Sequence, residues 1–132
     1  MFSFVKANAK PEFPVIKTLP TTASTEYKIG DALILSAGAL AKATGTAKPE
    51  YIAAANYSAP ATGMEPLPAY LIAPGMEWET TFAADATAVT EGTKVTIHTD
   101  GAQVTATATS GVAQILKKHG TGAAGTKATV TF

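Results

Sequence analysis

The sequence predicts an all-β fold: a small single-domain β-barrel or sandwich with an extended N-terminal arm. From Glu26 onward apolar residues recur with period two in short runs, the pattern of half-buried strands. Glycine-containing turns break these runs at close spacing, which suits a barrel or a two-sheet sandwich. Residues 1–25 differ from the rest: apolar side chains recur among prolines that disfavour helix and central strand. At 132 residues the chain makes one domain, able to bury roughly two thirds of its unfolded surface in a single core.

The arm comes first. Pro11, Pro14 and Pro20 disfavour helix and central strand alike, and the run TLPTTAST has no pattern. Disordered tails avoid large apolar residues, yet Phe2, Phe4, Val5, Phe13, Val15, Ile16 and Leu19 recur here. Residues 1–25 therefore read as an extended segment that lies against something, either its own domain or a neighbouring chain. Residues 26–132 read as the β-rich core domain. Fully stretched, the arm reaches ~80 Å.

In EYKIGDALIL, Tyr27, Ile29, Leu33 and Leu35 share one parity and are expected on one face. The overlapping stretch GDALILSAGALAKATGT is rich in helix formers, and Leu33, Ala37, Leu40 and Ala41 share a helical face. Gly30 and Gly38 would each cost that helix about 1 kcal/mol, and neither a capping box nor a basic last turn bounds it. Two short strands joined at SAGA use both glycines as turn residues. A strand over EYIAAANYSA follows the turn GTAKP. Pro60, Pro66, Pro68 and Pro74 then mark a structured loop holding one short strand, AYLIA. MEWETTF alternates, with Met76, Trp78, Thr80 and Phe82 inward and Glu77, Glu79 and Thr81 on a wet face. Residues 80–90 hold the one candidate for a short helix. Beyond them TKVTIHT turns Val95 and Ile97 inward, and Asp100 with Gly101 is a hairpin signal. QVTATAT places Val104, Ala106 and Ala108 inward. GVAQILKKH and KATVTF are further strands, joined by GTGAAGT.

Ten acidic and ten basic residues cancel, and every basic residue is lysine, so nothing draws the chain to nucleic acid or to an anionic membrane. The lack of cysteine excludes disulfides, thiolate metal sites and cysteine nucleophiles, and fits folding in a reducing cytosol. No secretory signal is read at the N-terminus, and the longest apolar run, residues 32–41, falls short of the ~20 residues of a membrane helix.

Candidate chemistry is sparse. His98 and Asp100 read either as an acid–base or metal pair or as two polar residues at a hairpin end. Glu77 and Glu79 lie roughly 6.6 Å apart on one strand face, a glycosidase-like spacing, but on a single strand they read as a solvated stripe. GTGAAGT lacks the Gly-Lys-Ser/Thr ending of a phosphate loop and precedes a strand. Trp78 with the tyrosines offers a sugar platform or, on an alternating strand, core. Lys117, Lys118 and His119 read as an edge that discourages strand pairing. No catalytic residue, cofactor or metal ligand set is expected, and the chain reads as a non-enzyme.

Two stretches, YKIGDALILSAGALAKATGTAKPEYIAA and GTKVTIHTDGAQVTATATSGVAQILKKHGTGAAGTKATVTF, resemble the small head-decoration (auxiliary capsid) proteins of tailed bacteriophages. The likeness is carried by an aromatic-led strand into Gly30 and Asp31, an L-x-x-G-x-L-x-K-A stretch, P-E-Y-I-A, and a late G-x-A-G-T-x-x-x-V-x-F strand. It spans residues 26–132. It implies a structural virion protein without catalytic residues, made in the host bacterial cytoplasm and placed on the capsid surface. Its implied partners are the major capsid protein and its own copies, as a homotrimer, and its implied task is to stabilise the shell. On this reading Phe2, Phe4, Val5, Phe13, Val15 and Ile16 contact the capsid or a neighbouring subunit. The alternative is another virion part: a head-fibre base, a tail component or a host-surface glycan-binding adhesin, with a sugar site at Trp78 as its marker.

Overall fold

The computed structural model describes residues 1–7 and 14–132. In chain order the strands are β1 (Ser3–Ala7), β2 (Ile16–Pro20), β3 (Glu26–Tyr27), β4 (Ala32–Ser36), β5 (Ala39–Lys42), β6 (Tyr51–Ala53), β7 (Tyr57–Ser58), β8 (Pro66–Leu71), β9 (Met76–Thr81), β10 (Lys94–Val95), β11 (Ala113–Lys118) and β12 (Lys127–Thr131). Among the described residues there is no helix; residues 80–90 form the end of β9 and turns. One five-stranded sheet runs β1-β9-β12-β11-β10, a second runs β2-β8-β6-β4-β5, and β3 pairs with β7. All the ladders are antiparallel.

The first sheet has one dry face and one wet face. Along β9, Met76, Trp78 and Thr80 are buried while Glu77, Glu79 and Thr81 stay partly exposed. Ala128 and Val130 of β12 and Ala113 and Ile115 of β11 continue the dry face. That alternation is the period-two rule at work, and a one-residue slip would reverse it.

The middle strands of the second sheet are buried on both faces. Ala32 and Ile52 belong to the core shared with the first sheet, whereas Leu33, Ala53, Leu67 and Ala69 belong to a second core. Tyr27 of β3 plugs that second core; its hydroxyl donates to the Leu40 carbonyl at 2.6 Å and accepts the Thr22 N–H at 2.9 Å. A single parallel bridge between Thr21 and Leu40 ties the two edges of this sheet without a ladder. Neither large sheet closes into a barrel, so the architecture is sandwich-like.

The GDALILSAGALAKATGT stretch is indeed two strands. Ser36 pairs with Ala39 across a two-residue turn in which both Ala37 (φ 50°) and Gly38 (φ 82°) are left-handed, the backbone that matches hairpin twist. EYIAAANYSA splits into β6 and β7. The strand over AYLIA begins earlier, at Pro66. Prolines are tolerated there because β8 meets β6 only from Ala69 onward, so Pro66 and Pro68 lie beyond that ladder. QVTATAT is not a strand: only Val104 bridges, to Ile97 and Phe82, and Ala108 is exposed.

Leu35 keeps the face of Leu33, opposite Leu40, but stands exposed near the hairpin end of β4, whereas Ile29 departs from the expected parity, exposed beside buried Tyr27. The alternation stops because the chain turns at residues 28–31, where the Asp31 N–H donates to the Lys28 carbonyl and Gly30 takes φ 85°. A side chain on Gly30 would also run into Met1.

Candidate functional site

The N-terminal strands are extended, as expected, but they are edge strands of the domain's own sheets. β1 pairs with β9, Phe4 lying opposite Trp78, and β2 pairs with β8, Ile16 lying opposite Tyr70. Both strands thus share their sheets with strands that lie beyond residue 25. Two of the six expected contact residues are directed inward. Phe2 is only 2% exposed and stacks edge-on with Phe132, ring centroids 5.4 Å apart. Phe4 meets Trp78 edge-on at 5.5 Å and is packed against the shared core. Both therefore pack within the domain, Phe2 fully and Phe4 in part. Val5, Val15 and Ile16 remain on the outside, and Phe13 lies outside the described residues.

Val5 is exposed because it alternates with inward-facing Phe4, and the β1–β9 register shift between Phe4 and Lys6 leaves it without an opposite residue. Such a bulge breaks the flatness of an edge strand. Val15 and Ile16 are exposed because β2 is the outermost strand of its sheet.

Between the two edges lies a groove of about 510 Å³, lined by Phe2, Phe4, Pro14, Ile16, Ile29 and Tyr70 among others. Trp78 underlies it, with Phe4 on one side and the Tyr70 ring 6.4 Å away on the other. Ile16 at 57% and Ile29 at 46% exposure stand at its margin, together with Met1. Of the eight large apolar side chains left exposed among the described residues, three, Met1, Ile16 and Ile29, line this groove. Sequence pattern could name the strand members of this set. It missed Ile29, whose parity predicted burial, and Tyr70, whose ring becomes part of the lining only once β2 pairs with β8.

The charged side chains of the surroundings lie in ion pairs and turn contacts. Glu77 is held by Lys6 at 3.6 Å and Glu79 by Lys127 at 2.8 Å, each across a strand pair on the wet face of the first sheet. The two carboxylates thus lie in ion pairs on a sheet face rather than across a cleft. Asp31 is almost fully buried and meets the Lys42 ammonium at 3.0 Å and the Lys28 N–H at 2.9 Å, which fixes the turn beside the groove.

His98 and Asp100 are brought together, Nδ1 lying 3.3 Å from Oδ1, but they serve a turn. Asp100 Oδ1 accepts the N–H groups of Ala102 and Gln103 at 2.8 and 3.1 Å. Burial works against ionisation of Asp100, but those backbone donors and the His98 ring outweigh it and hold the carboxyl below the usual carboxylate range. The turn in turn clasps both sheets: the Gly101 carbonyl accepts the Ala32 N–H, and the Ala102 carbonyl accepts the Thr80 hydroxyl.

Trp78 is fully buried, so it offers no platform to a sugar, and its indole N–H has no hydrogen-bond partner among the described residues. GTGAAGT is a turn whose Gly122 carbonyl accepts the Ala86 N–H. Of the basic cluster, Lys118 reaches the Ala86 and Thr87 carbonyls and His119 bonds the Thr129 hydroxyl at 2.8 Å. No group of three or more metal-ligating side chains occurs among the described residues.

Compared with known proteins, the chain matches no protein-family model, and no curated protein matches its sequence.

Proposed function

We propose that this chain is a structural virion protein, a capsid decoration protein that binds the outside of a bacteriophage head and stabilises the shell. The observation that carries the docking part of this reading is the apolar groove between β1 and β2. It gathers half-exposed Ile16 and Ile29 over an aromatic lining on a protein with little charge. Exposed apolar groups that cluster mark interaction surfaces, whereas scattered ones need no explanation. The sequence resemblance supplies the partner, the major capsid protein, and the expectation of a homotrimer. Burying the exposed parts of Ile16 and Ile29 would contribute about 1 kcal/mol each to that contact. No observation favours the glycan-binding alternative, since its marker, Trp78, is enclosed.

The test adds purified protein to mature heads lacking it and measures co-sedimentation. Wild type is expected to bind. The double substitution Ile16→Lys with Ile29→Lys is expected to keep its circular dichroism and bind about tenfold or more weakly, a loss of at least ~1.4 kcal/mol. Absence of wild-type binding would overturn the virion reading. Undiminished binding by the double variant would keep that reading and remove the groove from it.

A further inference from the structure

We draw no further inference here: the strongest candidate, the apolar groove between β1 and β2 with the outer edge of β2 beside it, belongs to the site already described, and nothing in the structure shows what covers it.

Discussion

β1 and β2 are strands of equal length at the edges of their sheets, drawn from the same N-terminal stretch, yet their apolar side chains go in opposite directions. The β1 segment sends Phe2 and Phe4 into the shared core, against Phe132 and Trp78. β2 leaves Ile16 uncovered, and only Leu19 packs against the second core. The difference does not lie in residue type. An apolar residue on an edge strand is enclosed only where another layer stands opposite. β1 has the second sheet across from it, while β2 lies at the open margin of the sandwich.

The sharpest way to break this comparison is to truncate one side chain from each segment. Phe2→Ala is expected to destabilise the fold by about 3–5 kcal/mol, the range for a buried aromatic, as read from urea unfolding. Ile16→Ala in the same assay is expected to cost less than about 1 kcal/mol, because that side chain is already mostly in water. Equal losses would mean that β2 is as enclosed as β1.

A smaller effect should come from the turn that clasps the two sheets. Asp100→Asn is expected to cost about 1 kcal/mol at pH 7, since two backbone donors lose a charged acceptor that is itself partly exposed. The sign with pH follows from the lowered carboxyl. Its contribution is fully present above the unfolded value near 4 and is lost as pH falls through the folded value, so the wild-type advantage should fade in strong acid. Unfolding curves at pH 7 and pH 2.5 would show it.

The smallest effect sharpens the comparison by strengthening the second sheet without touching β2. Ala37 holds a left-handed backbone in the β4–β5 turn, and Ala37→Asn or Ala37→Gly should add about 0.5–1 kcal/mol. On the proposed capsid-binding reading, association with heads should not change. A change in binding would place the contact at the hairpin rather than at the groove.

Strand identity was legible wherever alternation met water on one side. β9, β11 and β12 read directly, because the first sheet has a single dry face and polar residues must take the other. The β4–β5 hairpin was legible through Gly38 rather than through its helix-favouring composition. What stayed hidden was set by tertiary placement. Ile29 keeps strand parity in sequence but falls on a turn, and the residues of QVTATAT meet residues 96–98 through a few backbone bonds and an isolated bridge rather than a continuous ladder. The groove was half legible: composition marked the N-terminal residues as seeking contact, but it could not say that Phe2 and Phe4 would find that contact at home.

The second sheet, enclosed at its centre from above and below, has a consequence for how this protein can vary. Its middle strands offer no neutral side on which side chains can drift, so a saturation library should tolerate little at Ala32, Leu33, Ile52 and Ala53. The water-facing threonines, lysines and glutamates of the first sheet form the opposite case: a surface on which charge and shape can be rewritten while the scaffold beneath stays the same.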